Sequence, residues 1–211
     1  MNLPPAYRPN ELKGTPLPFI ALESVSAVGK STLTRILTRD LNASSLHTLP
    51  TPHNAWSTPI NDRLRPLPQL SFYLSGLLHA SDEVRTARQL KTVIADRYQS
   101  SVIACHAAVH EIPIEHVLKL AEPFLPYVVQ PTFTFYLRCS LETLKARLRS
   151  KGDIKRDDTD LLTVPGRLKQ LLFNFETVAA SDPSAVWVDT DGKTPNQLAH
   201  EIKHTLERVR A

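Results

Sequence analysis

Apolar positions along the chain follow two rhythms. Continuous runs at 19–22, 92–95, 132–137 and 185–188 have the length and sharp ends of buried strands, and 45–49, stopped by Pro50, reads as a further strand. Between them the apolar residues recur at helical spacing. Leu33, Ile36, Leu37 and Leu41 form one stripe, and Leu70, Tyr73, Leu74, Leu77 and Leu78 another, with Gly76 as a small interruption and a charged continuation over 82–91. Further helices are predicted over 100–110, 113–125, 141–150 (capped by Ser140) and 166–180. The last begins at Thr194-Pro195-Asn196-Gln197, which combines a capping threonine, proline at the first helical position and glutamine at the third; Leu198, Ile202, Leu206 and Val209 are its buried stripe. Strands separated by helices, without hairpin signals, predict an α/β fold with a parallel sheet covered on both faces. Residues 51–68, with Pro52, Pro59, Pro66 and Pro68, read as irregular or only briefly helical, a loop of the kind that walls a pocket. The predicted organisation is an extended arm over 1–17 and one domain over 18–211.

Composition changes this picture little. At 211 residues, 42% hydrophobic and 22% charged, the chain is an ordinary globular protein with one core. A formal charge of +4 suits a small anionic substrate and is too mild for a nucleic-acid partner. No apolar run approaches a membrane span, and the first thirteen residues lack a signal-peptide core, so a cytoplasmic protein is expected. Cys105 and Cys139 lie in apolar stretches and are expected to be buried, reduced thiols.

The candidate chemistry sits at the strand ends, where parallel sheets bind ligands. Residues 19–22 run through a polar turn into Gly29-Lys30-Ser31-Thr32, which opens a helix; strand, turn and Gly-Lys-Ser helix start together make a phosphate-binding loop. Its first glycine is replaced by Ser24. The loop segment Ser26, Ala27, Val28, Gly29, Lys30, Ser31 and Thr32 would cradle a nucleotide's phosphates, with Lys30 on the outer ones and Ser31 on Mg²⁺. Asp96 ends a neighbouring strand, where it would hold Mg²⁺ with Ser31, and Arg97 follows it into the cleft as a planar fork for phosphoryl oxygens. A basic cluster, Arg147, Arg149, Lys151, Lys155 and Arg156, surrounds Gly152. Arg147 on the helix and Arg156 on a short lid over about 151–160 are the expected donor-side cations; Arg149 and Lys151 read as a solvated helix end.

These motifs resemble the thymidylate kinase family of nucleoside monophosphate kinases from Phe19 to Ile202. Phe-Ile-Ala-Leu-Glu with Gly-Lys-Ser-Thr looks like its first strand and phosphate loop. Asp96-Arg97-Tyr98 looks like its Asp-Arg-Tyr motif, and Arg147 to Arg156 like its lid. The resemblance implies a P-loop NTPase fold with a five-stranded parallel sheet, ATP and Mg²⁺ as donor and cofactor, and a homodimer. It also implies a catalytic set of Lys30, Asp96, Arg97 and Arg156. The departures lie on the acceptor side. Ser26 stands at the family's loop aspartate, Thr48-Leu49-Pro50 at Arg-Glu-Pro, Ser75 at the acceptor-phosphate arginine (with Arg85 a possible replacement), and Cys105-His106 at Tyr-Gln. Trp56, Tyr73, Arg97 and His106 are the candidate acceptor contacts, with Phe72 beside them.

The reading is therefore an ATP-dependent kinase that transfers the γ-phosphate to a nucleotide or related small-molecule acceptor other than dTMP. The alternatives are a kinase for a hydroxyl of a nucleoside, metabolite or antibiotic, in which Asp96 or Glu23 serves as base, and a non-catalytic nucleotide-binding regulator.

Overall fold

The computed structural model describes residues 8–9, 14–152 and 156–208. Five parallel strands form one sheet in the order β2-β3-β1-β4-β5: β1 (Phe19–Glu23), β2 (Ser44–His47), β3 (Val93–Asp96), β4 (Phe133–Arg138) and β5 (Ala185–Asp189). Helices α1 (Lys30–Asp40), α2 (His53–Arg63), α3 (Pro66–Ala87), α4 (Gln99–Val109), α5 (Ile114–Ala121), α6 (Leu141–Ser150), α7 (Arg156–Thr163), α8 (Arg167–Ala180) and α9 (Pro195–Arg208) connect and cover them.

The central strands are apolar on both sides because both sides are covered. On β1, Ile20 and Leu22 pack with Leu33 and Leu37 of α1 and Ile202 and Leu206 of α9. Phe19 and Ala21 face the other way, into Leu77, Ala80 and Val84 of α3. The register pairs Leu22 with Asp96, so Glu23 and Ser24 leave the sheet beside Arg97. The final helix starts as its sequence signature predicts: Gln197 N–H donates to Thr194 Oγ1 (3.3 Å), and Thr194 N–H donates to Gln197 Oε1 (2.8 Å).

Several expectations require correction. Residues 51–68 are not irregular: α2 occupies His53–Arg63, and Pro66 and Pro68 sit in the first turn of α3, where no intrahelical donor is lost. α2 buries none of its residues, so no apolar stripe announced it. Gly76 does not interrupt anything; α3 runs unbroken through it, and it is buried there because Leu49 and His53 pack against the helix. Residues 156–160, expected in a mobile turn, open α7. Cys105 and Cys139 are thiols, half-buried rather than buried. Lys155, Val209 and most of the predicted arm lie outside the described residues. The arm's end is pinned, with Leu17 N–H on the Arg88 carbonyl (2.8 Å). Among the described residues no helix is long and apolar enough to cross a membrane.

Candidate active site

Between β1 and α1 the chain turns through two left-handed residues, Ala27 (φ 65°) and Gly29 (φ 104°). Ser24 is not among the positive-φ residues, so the loop entry has no need of a glycine. Lys30, the first residue of α1, is buried within this turn. Its Nζ donates to Ser24 O (3.1 Å), Ser24 Oγ (2.8 Å) and Val25 O (2.7 Å). Burial, and then the nearby Arg97, pull its pKa down to about 7. An ammonium buried in the loop and bonded to neutral oxygens is poised for an anion. Next to it, Ser31 Oγ donates to Asp96 Oδ2 at 2.6 Å, across from β3. The donor set of one hydroxyl and one carboxylate fits Mg²⁺, a hard cation that completes its shell with water and substrate phosphate oxygens.

Arg97 adopts φ 72°, an unfavourable conformation for a residue with a side chain. Its N–H is held by Leu22 O (3.0 Å), and Nη1 donates to Ser24 O (3.1 Å) and Ser101 Oγ (3.3 Å). The strained turn thus aims the guanidinium back across the mouth of the loop. Beneath it, Glu23 is sealed. Its Oε1 accepts from Tyr98 N–H (2.9 Å) and Ser101 N–H (3.2 Å), and its Oε2 accepts the Ser101 hydroxyl in a short bond. Burial raises the Glu23 pKa even against these hydrogen bonds.

On the α1–α9 side, a cleft of about 260 Å³ opens beyond the loop, lined by Val28, Thr32, Leu33, Arg147, Pro195 and Leu198 among others. Arg147 Nη1 donates to Thr190 Oγ1 (2.9 Å) and weakly to Val28 O (3.4 Å), which lays the guanidinium along this cleft. The size and mixed lining suit a planar heterocycle continuing from the phosphates.

The lid cations are placed differently from the sequence expectation. Arg156 opens α7 but is 77% exposed and pairs with Asp62 of α2 (3.3 Å), away from Lys30. Lys151, read as a solvated helix end, reaches the loop. Its Nζ contacts Ser26 Oγ at 3.5 Å and pairs with Asp158 at 2.6 Å. The signal for it was present in the spacing, since a glycine follows Lys151 and an acid lies in the first turn of α7.

On the β2 side, Trp56 is 58% exposed on α2 and is not gathered into the cleft. Phe72 packs edge-on against Tyr73. Tyr73 is drawn into a polar chain that the sequence did not reveal. Tyr73 Oη donates to Asn61 Oδ1 (2.8 Å), Gln69 Nε2 donates to the same oxygen (3.0 Å), and Gln69 Oε1 accepts from His110 Nε2. The ring of His106 lies 4.6 Å from that of His110. The spacings Gln69/Tyr73 and His106/His110, each four apart, were the available hint. Arg85 does not stand in for the missing acceptor arginine. It lies more than two turns past Ser75 on α3, with Nη2 on the Tyr127 carbonyl (3.0 Å).

A sequence model of the family described as thymidylate kinase matches residues 22–191. Among solved structures, the thymidylate kinase from Candida albicans superposes with a TM-score of 0.75 at 17% identity, covering 92% of this chain and 93% of that one. The thymidylate kinase from Ehrlichia chaffeensis gives 0.66 at 18%, with 91% and 100% covered. The deoxyadenosine kinase from M. mycoides, solved with the products dCMP and dCDP, gives 0.66 at 18%, with 90% and 99% covered. At these identities the structural likeness speaks to the fold, the five-stranded parallel P-loop architecture.

Proposed function

The chain belongs to the thymidylate kinase family and is an ATP-dependent kinase; on that premise we propose that it transfers the γ-phosphoryl group of ATP to a nucleotide or related small-molecule acceptor other than dTMP. The observation that carries the site assignment is the junction of Ser31 and Asp96 at 2.6 Å beside the buried Lys30. Loop N–H groups of 26–31 and the start of α1 bind the β- and γ-phosphates, and Lys30 exchanges its carbonyl partners for phosphate oxygens. Ser31 and Asp96 would hold Mg²⁺, which neutralises charge on the phosphates when bound. Arg147 carries the donor base in its cleft, Arg97 positions the acceptor oxygen, and Lys151 is the lid cation nearest the transferred group. Arg156 would have to leave Asp62 to take part.

The exclusion of dTMP rests on the rewritten acceptor side: Ser26, Ser75 and His106 offer different hydrogen bonds from those a thymidylate pocket is built around. A homodimer and a cytoplasmic location complete the proposal. The family resemblance supports the first, and two cysteines in the thiol form, suited to a reducing compartment, support the second. A coupled ADP-release assay over nucleosides and their monophosphates, with Lys30→Ala as the control, tests the function. Acceptor-dependent ADP release that disappears in the variant is expected; dTMP as the preferred acceptor, or release indifferent to Lys30, refutes it. Light scattering after gel filtration reads the oligomer.

A further inference from the structure

We propose that the acceptor is a neutral nucleoside-class molecule phosphorylated on a hydroxyl, rather than a phosphate monoester. The inference rests on the kinase reading above and adds the chemistry of the second substrate.

Charge is distributed unevenly over the cleft. The donor half holds Lys30, Arg147 and Lys151, all at least half-buried. The acceptor half is bounded by the β2 end, α2, α3 and α4, and its half-buried cation beside Asp96 is Arg97, already donating to Ser24 and Ser101. Arg63 and Arg65 stand exposed at the α2–α3 corner. Arg85 and Arg88 are bound to the carbonyls of Tyr127 and Leu17 at the far end of α3, and Arg156 is paired with Asp62. A phosphate dianion taken out of water needs paired, forked cations to offset its desolvation. Arg97, so committed, and Arg167, held by the Val109 carbonyl and Asp160 at the end of α4, are a poor match for that demand.

The α3 wall is also closed to a long cationic side chain. A Cβ on Gly76 would stand 2.4 Å from Leu49 Cδ2 and 3.3 Å from the His53 ring, while Ser75 Oγ is bonded to His53 Nε2 at 3.1 Å.

What the acceptor half does offer is neutral hydrogen bonding. His106 is 7% exposed, with its ring 4.6 Å from that of His110. Burial, and then His110, pull its pKa down to about 4, so it is neutral at physiological pH. A neutral imidazole supplies one N–H donor and one acceptor nitrogen, the complement of a nucleobase edge. The chain His110–Gln69–Asn61–Tyr73 fixes the surroundings of that ring with neutral groups from three helices.

A hydroxyl acceptor must lose a proton, which an ionised phosphate acceptor does not. Ser101 accepts from Arg97 and donates to the buried Glu23 carboxylate, a relay from the cleft to a proton sink. The acceptor oxygen forms the new bond to the γ-phosphorus as the bond from that phosphorus to the bridging oxygen breaks. The electron pair leaves on ADP, and the hydroxyl proton passes through Ser101 to Glu23.

The test is ADP release with common ribo- and deoxyribonucleosides and, in parallel, their 5′-monophosphates, with products identified by mass spectrometry. The inference expects a nucleoside to have the highest kcat/KM and to yield its monophosphate. His106→Ala should raise the KM for that nucleoside about tenfold with the KM for ATP unchanged, and His106→Gln should recover part of the loss. Monophosphates preferred over every nucleoside, with diphosphate products, overturns the inference and leaves the kinase reading intact. Transfer to neither class by protein that binds ATP removes both.

Discussion

Lys30 joins stability to ligand binding, and its burial can be read by titration. Its pKa falls from 10.5 in the open chain to about 7 in the fold, mainly because the amine is buried in the loop. Between those values the unfolded chain carries a proton that the folded chain does not. The contribution to stability is therefore fully present above about pH 10.5 and is lost as pH falls toward about 7, below which both states are protonated. One extra proton on the unfolded side gives a slope of about 1.4 kcal/mol per pH unit. Lys30→Met keeps the length of the side chain and removes the titrating group. The variant leaves the Ser24 and Val25 carbonyls short of a donor, a cost that does not vary with pH. Other groups with raised pKa values, such as Tyr98, Tyr136 and Cys139, cancel in the comparison. Urea unfolding of both ligand-free proteins at pH 7.5 and 9.0 should show the wild type gaining roughly 2 kcal/mol relative to the variant across that interval. Parallel pH dependences would refute the sealed loop and the picture of an ammonium waiting for phosphate.

Other outcomes follow from the same geometry. ATP should recharge Lys30, so its affinity should weaken as pH rises above about 7, and calorimetry in buffers of different ionisation enthalpy should record proton uptake on binding. Ser31→Ala should lower kcat by roughly 10²-fold and raise the Mg²⁺ concentration needed for half-maximal rate; an unchanged Mg²⁺ requirement would remove Ser31 from the metal site. Lys151→Ala should cost more in kcat than Arg156→Ala, because only Lys151 reaches the loop; the reverse order in steady-state kinetics would mean that the lid cations exchange places during turnover. Ser26→Asp should capture Lys151 as an ion pair and slow transfer, whereas Ser24→Gly, at a position of ordinary φ, should leave acceptor preference alone.

The sequence by itself determined the features encoded locally. Apolar runs and 3.6-residue stripes report burial on a single element and predict the parallel sheet, while local polar motifs mark the phosphate loop at 26–32, Asp96 at a strand end and the Thr194–Gln197 cap. Where an element buries nothing, that signal is missing, which is why α2 passed for a loop and its prolines for breakers. Tertiary structure alone decided which polar groups meet. Lys151 and Arg156 are close in sequence and chemically similar, yet one faces the loop and the other an acid on α2, because the start of α7 turns the second outward. Arg85 looked able to replace an acceptor arginine until the direction of α3 carried it away from Ser75 to the Tyr127 carbonyl. The neutral chain of Tyr73, Asn61, Gln69 and His110 is assembled from three helices, and no spacing within one segment can specify it. Hydrophobic periodicity is a property of one element and its solvent, whereas a hydrogen bond between elements depends on how they pack.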